Sequence, residues 1–199
     1  MSKKYYAVKI GKVPGIYDSW EECQVNVTGV SGAIFKSFRS LEEAENYLNE
    51  DNVKKVLNDI DNENYAFVDG SFNEKTNTYG YGGFIVINGE KIILNGSGNK
   101  VAMAAMRNVA GEILGCMAAV EVALVKGLKN LTIYYDYLGI EMWATGKWKS
   151  KKLETTAYHD YIQSIKDKIN IKFVHVKGHT GVAGNEEADE LAKKAVGIL

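Results

Sequence analysis

Apolar positions in this chain recur at two periods, and the order in which those periods follow one another divides it into two parts. In the first fifty residues YYAVKI (5–10) and GAIFKSF (32–38) read as strands. Between them DSWEECQVNVTG (18–29) reads as a short helix closed by Gly29, and SLEEAENYLNE (40–50) follows as a second helix. There Ser40 and Glu43 stand in the S-x-x-E arrangement of a capping box. From residue 65 the pattern changes to YAFVDGS (65–71), GYGGFIVING (80–89) and EKIILNGSG (90–98), three strands with an Asn88-Gly89 hairpin signal between the last two. Ile113, Leu114, Met117, Val120 and Leu124 then recur at helical spacing up to Gly127. LTIYYD reads as a buried strand, LGIEMWATG as a short helix and ETTAYHDYIQSIKDKI as a longer one. NIKFVHVKG is a further strand and NEEADELAKKAV a final helix. Three strands followed by helix–strand–helix–strand–helix predict an α/β fold with a mixed sheet covered by helices. The expected organisation is a small α+β domain over 1–49, a polar acidic linker over 50–63 and an α/β domain over 64–199.

Composition narrows the class. Of 199 residues 46% are hydrophobic and 25% charged, ordinary values for a globular protein. No stretch reaches the ~18 uninterrupted apolar residues of a membrane span, and MSKKYYAVKIGKV lacks an apolar signal core, so the reading is a cytoplasmic protein. Cys23 and Cys116 sit in apolar contexts and read as core thiols. Net charge is −1, but residues 1–40 carry +3, residues 41–64 carry −6 and residues 65–199 carry +2. Four lysines crowd into KWKSKK (147–152). A basic head and a local basic loop suit a polyanion ligand better than the total charge suggests.

Four acids share an address. Asp69 and Asp136 each end a strand, and ligands of open α/β sheets gather at the carboxyl ends of strands. Glu112 lies early in its helix beside the apolar stripe, where it can lean toward the sheet. Asp189 flanks the stripe of Ala188, Leu191, Ala192, Ala195 and Val196. Singly, each has a plainer role: Asp69 and Asp136 as turn caps, Glu112 and Asp189 as helix-surface charges. Together they would repel one another, and no matching set of cations stands at these strand ends. Divalent ions are the natural compensation. Hard oxygen donors suit Mg²⁺ or Mn²⁺, and no Cys/His zinc spacing is present.

YAFVDGSFN, RNVAGEILG, IYYD and VKGHTGVAGNEEADELA, in this order and spacing, resemble the type-one ribonuclease H family. YYAVKIGKVPGIYDSWEEC with GAIFKSF resembles the hybrid-binding domain that precedes many of its members. The resemblance implies a ribonuclease H-like five-stranded sheet flanked by helices, behind a small nucleic-acid-binding domain. It implies an endonuclease, active as a monomer, that hydrolyses the RNA strand of RNA–DNA hybrids with two Mg²⁺ ions, Mn²⁺ being an alternative, and leaves 5′-phosphate and 3′-hydroxyl ends. Asp69, Glu112, Asp136 and Asp189 match the family's metal ligands, and His179 matches a histidine that assists turnover. Asn73, Arg107 and Asn108 match positions that meet the hybrid. Val109 stands where many members carry an amide, so one base-edge contact is missing. Trp148 with Lys147 and Lys149 matches a basic, Trp-containing protrusion, here shortened, while Trp143 is expected to pack inside the domain. In the first domain Tyr6, Trp20 and Phe35 match aromatic contacts and Lys36 a phosphate contact, to a hybrid or to double-stranded RNA. Ser37 replaces a second lysine. The plainer reading of those three rings is the core of a small domain.

Two rival readings share much of this pattern. A non-catalytic hybrid or double-stranded RNA binder would be expected to have lost an acid, and none is lost. A transposase or exonuclease could use the same fold, since fold does not fix function. The GHTGVAGNEEADELA stretch and the N-terminal module favour the ribonuclease.

Overall fold

The computed structural model describes residues 4–41, 43–45, 47–48, 64–178 and 182–199. The chain divides into two compact units, Met1–Asp59 and Ile60–Leu199. The expected linker, 50–63, and His179 lie outside the described residues.

The first unit runs β1 (Tyr5–Ile10), β2 (Gly15–Tyr17), α1 (Trp20–Val27) and β3 (Ile34–Phe38), with the strands antiparallel in the order β2-β1-β3. Helix α1 starts where the Ser19 hydroxyl accepts the Glu22 amide, and the turn beyond it uses Gly29 at φ 78°. The capping box forms as the sequence predicts. Glu43 N donates to Ser40 Oγ at 3.1 Å, while Ser40 N and Arg39 N donate to Glu43 Oε2 at 3.4 and 3.2 Å. The sequence pattern missed β2, because three residues after a proline show no period. The buried apolar side chains are small: Ala7, Val8, Cys23 and Ala44. A core of that size leaves the large rings outside.

The second unit follows with β4 (Asn64–Asn73), β5 (Thr78–Ile87), β6 (Glu90–Gly98), α2 (Val101–Ala104), α3 (Asn108–Val125), β7 (Asn130–Tyr135), α4 (Gly139–Ala144), α5 (Leu153–Ile165), β8 (Asn170–His175) and α6 (Ala183–Ala195). Its sheet has the order β6-β5-β4-β7-β8. The β4–β5 and β5–β6 pairs are antiparallel, whereas β4–β7 and β7–β8 are parallel. This is the predicted mixed five-stranded sheet. Asn88 and Gly89, at φ 50° and 83°, make the expected tight hairpin.

Helices cover both faces. On one, α3 buries Ile113, Cys116, Ala119, Val120 and Ala123, with its Gly115 against Val68 and Tyr81. Ile113 and Val120 each contribute about 2 kcal/mol by leaving water. By length and apolarity α3 could cross a membrane, but it carries Glu112 and Glu121 and serves as the central helix of this core. On the other face α6 lies against the sheet so closely that a Cβ on Gly82 would run into the Ala192 backbone. Beneath α6, Gly184 rests on the Phe67 ring, which stacks on Tyr134 with centroids 4.5 Å apart. With both faces covered, the middle of β4, which leads into Asp69, is held beside the end of β7, where Phe67 pairs with Tyr134.

Candidate active site

Asp69 sits in β4, in register with Gly82 of β5, and Asp136 directly follows β7. Glu112 reaches them because α3 approaches the sheet backbone to backbone. A Cβ on Gly70 would collide with Asn108 O and Glu112 N, and one on Gly111 with Gly80 O. Two glycines therefore set the height of Glu112 above β4. Oxygens of Asp69, Glu112 and Asp136 come within 4.8 Å of one another.

Burial controls the chemistry of this trio. Asp69 is 7% exposed and Glu112 1% exposed. Burial first, then the charges of Asp136 and Asp189, raise the Asp69 carboxyl to about 6, against the lowering effect of hydrogen bonds from Glu112 and from Gly70 N at 2.6 Å. Glu112 is raised well above the usual carboxyl range by burial, by the Asp69 charge and by its hydrogen bond to Asp69. In the hydrogen bond between the two carboxyls Glu112 is the donor and Asp69 the acceptor. Its Oε2 is buried and has no hydrogen-bond partner among the described residues. Three clustered carboxylates and an orphaned oxygen, with no thiolate or imidazole among them, fit a hard divalent cation. Asp136 is fixed at its backbone, where His175 Nε2 donates to Asp136 O at 2.9 Å. Sequence reading did not single out His175.

Asp189 lies near enough for its charge to raise Asp69, but it stands apart from the tight trio. Its Oδ2 accepts Lys193 Nζ at 2.7 Å, one helical turn along α6. The His179 side chain lies outside the described residues.

Next to the acids lies a groove of about 520 Å³. Arg107 and Asn108 line it on one side, Tyr137 and Trp143 on another, and Lys149 and Lys152 on a third. Arg107 takes an unusual backbone φ of 56°, pairs with Glu74 and lies 5.6 Å from the centre of the Phe72 ring. Trp143 packs against the core as expected and also lines this groove, with its ring 5.8 Å from Tyr137 and edge-on to Trp148 at 6.0 Å. Trp148 is 42% exposed, and Lys147 beside it is paired to Glu141 at 2.7 Å. Asn73 spends its amide within the chain: Nδ2 donates to Val196 O at 2.9 Å, and Oδ1 accepts Lys75 N at 3.0 Å. It ties the β4–β5 turn to the end of α6.

In the first unit Tyr6, Trp20 and Phe35 form one surface cluster. Trp20 stands 5.7 Å from each of the other two rings, and Trp20 and Phe35 are 39% and 41% exposed. These rings lie outside the small core of the unit. Lys36 lies on the other face of β3, 5.4 Å from the Phe38 ring centre and 5.7 Å from that of Tyr47.

Comparison with known proteins agrees with this division of the chain. Residues 4–48 match the family model described as Ribonuclease H1 N-terminal domain, and residues 61–197 match RNase H. Ribonuclease H1 of Homo sapiens is 24% identical over 96% of this chain and 88% of its own length. Ribonuclease H of Francisella tularensis subsp. novicida is 31% identical over 67% of this chain and 91% of its own. Among solved structures, LC11-RNase H1, isolated from compost and crystallised in complex with an RNA/DNA hybrid, shares the fold. Its TM-score is 0.51 at 18% identity, covering 66% of this chain and 98% of that one. A buried acid trio on a sheet of this topology, preceded by that N-terminal module, places the chain in the type-one ribonuclease H family, as a ribonuclease H.

Proposed function

We propose that this enzyme, a cytoplasmic monomer, cuts the RNA strand of RNA–DNA hybrids internally with two divalent ions, Mg²⁺ or Mn²⁺, leaving 5′-phosphate and 3′-hydroxyl ends. The observation that carries the reading is the convergence of Asp69, Glu112 and Asp136 within 4.8 Å. A protein of the same fold was crystallised with such a hybrid, which supports the substrate class. Asp69, Glu112, Asp136 and Asp189 would hold the metal, whose Lewis acidity activates water and neutralises charge on the leaving oxygen.

The chain's own residues supply position and charge. Rigid mounting on β4 and β7 keeps Asp69 and Asp136 fixed while a scissile phosphate approaches. A bound cation would offset the burial that disfavours a charged Glu112, so that its carboxylate could serve as a ligand. His179, ten positions before Asp189, moves a proton or helps the product leave. Along the groove Tyr137 and Trp143 offer apolar faces to sugars and bases, while Arg107, Lys149 and Lys152 attract phosphates. Asn108, at the start of α3 and on the same groove, is placed to read the 2′-hydroxyls of the wide minor groove. In the first unit Tyr6, Trp20, Phe35 and Lys36 bind the hybrid, or double-stranded RNA.

End-labelled hybrid, duplex DNA and duplex RNA, each incubated with Mg²⁺, test the proposal. Only the hybrid should be cut, its RNA fragments should carry 5′-phosphates, and Asp136→Asn should bind hybrid but turn over orders of magnitude more slowly. Cleavage of duplex DNA, or an unimpaired Asp136→Asn, would refute it.

A further inference from the structure

Asp136 stands beyond the sheet that delivers it. The β4–β7 ladder stops at Phe67 and Tyr134, and the β7–β8 ladder at Tyr135 and His175. Past that point the chain turns at once into α4, where Ile140 N donates to Tyr137 O at 3.0 Å. A metal ligand has to be held still, and neither ladder reaches this one. Tyr135, the residue before it, is fully buried, with its ring edge-on to Phe173 at 6.1 Å and 5.6 Å from His175. A phenol buried in this way is costly unless it finds a partner. Tyr135 OH donates to Glu141 Oε2 of α4 at 2.7 Å.

That bond closes a loop. Tyr135 and Glu141 are six positions apart and Asp136 lies between them, so the hydrogen bond ties together the two ends of the segment that carries the acid. Glu141 is itself braced. Its Oε1 accepts Lys147 Nζ at 2.7 Å, and its side chain is 23% exposed. Lys147 first and Tyr135 second draw the Glu141 carboxyl below its ordinary range, so it is ionised at neutral pH and accepts from both. From the other side β8 holds the same turn: Val176 N donates to Tyr135 O at 2.8 Å, beside the His175 bond to Asp136 O. Neither Tyr135 nor Glu141 lines the groove beside the acids, so their work is not contact with the hybrid.

We propose that Glu141 is a positioning residue for metal binding: through Tyr135 it fixes the Asp136 carboxylate beside Asp69 and Glu112, where a divalent ion needs it. This rests on the reading of the acid trio as the metal site. The gain lies in preorganisation rather than in contact. Without the clasp Asp136 keeps its backbone tether to β8 but has to be ordered as the ion arrives, and that ordering lowers affinity for the ion. An amide oxygen at position 141 would serve the phenol as well as a carboxylate oxygen, and a methyl not at all. This separates the bond from the charge.

Mn²⁺ is titrated into the full chain and the free ion counted by electron paramagnetic resonance, with Asp136→Asn as the reference for a lost ligand. Tyr135→Phe and Glu141→Ala should each weaken Mn²⁺ binding about 10-fold, a typical loss for a partner that orients a metal ligand. The double variant should be no weaker than either single one, because both delete the same bond. Glu141→Gln, which still accepts from the phenol, should stay within about twofold of the native chain. In hybrid cleavage at sub-saturating Mn²⁺, Tyr135→Phe should lower kcat about 10-fold and leave KM for the hybrid unchanged. Urea melts confirm that each variant is folded, and Tyr135→Phe, which removes a single oxygen, carries the test if Glu141→Ala does not fold. If Asp136→Asn loses Mn²⁺ while Tyr135→Phe binds it as the native chain does, the positioning role is wrong and the metal site stands. If Asp136→Asn also binds as the native chain does, the reading of the trio fails, and the positioning role with it. Losses that add in the double variant, or a Glu141→Gln as weak as Glu141→Ala, would equally overturn the positioning role.

Discussion

Replacing Asp69 with Asn tests the electrostatics of the carboxyl cluster while keeping its shape. Burial and neighbouring acids raise Asp69 from 3.8 to about 6 in the folded chain. A raised acid has a defined sign. Below the unfolded value it is protonated in both states and costs nothing, and as pH climbs through about 6 the folded state must hold a charge it disfavours. The shift of roughly two units corresponds to about 3 kcal/mol, present in full above about pH 7. Asn at 69 is neutral throughout, still accepts from Gly70 N and removes one of the charges that raise Glu112. Urea unfolding in EDTA should therefore find Asp69→Asn about 1 kcal/mol more stable than wild type near pH 4.5, and about 3 kcal/mol more stable near pH 7.5. Adding Mg²⁺ should reverse the order at pH 7.5, because only the native chain has its full ligand set. Binding at a thousandfold excess over Kd contributes about 4.1 kcal/mol to whichever protein binds, more than the gap in EDTA. A variant no more stable than wild type at pH 7.5 in EDTA, or a gap identical at both pH values, would refute the reasoning.

Three further outcomes follow from the same geometry. Gly70→Ala forces a methyl into Asn108 O and Glu112 N, so it should destabilise the second unit by about 3 kcal/mol in urea melts and displace Glu112 enough to depress cleavage well below the loss in folded fraction. Trp143→Ala should weaken hybrid binding by about 1–3 kcal/mol in anisotropy titrations, whereas an unchanged Kd would remove the groove from the binding surface. Chelation should abolish cleavage, and Mg²⁺ or Mn²⁺ should restore it; residual cutting in EDTA would contradict the metal requirement.

What could be read from the sequence was what repeats or punctuates. The Asn88-Gly89 turn, the Ser40–Glu43 box and the apolar stripe of α3 each involve residues close in the chain, and each formed as expected. Asp136 was legible because it ends its strand, whereas Asp69, read as a strand end, sits inside β4, which runs on to Asn73 in its pairing with β5. Less legible was anything decided by partners far away in sequence. Trp143 was read as packed inside, and it does pack against the core, but it is only partly buried and its ring also lines the groove beside Tyr137. Asn73 looked like a recognition amide, and its use became visible only when Val196, 123 positions later, came alongside it. The rings of the first unit could not be sorted into core or surface from their spacing. The choice was made by Ala7, Val8, Cys23 and Ala44, small enough to close the interior without them. Glycines 70 and 111 carried the least signal and place Glu112.

Anomalous diffraction from crystals soaked in Mn²⁺ is the most direct measurement. The account predicts a peak bridging the carboxylates of Asp69, Glu112 and Asp136, absent from crystals of Asp136→Asn. A map with no peak between those three side chains, or with manganese bound only elsewhere on the chain, would contradict it.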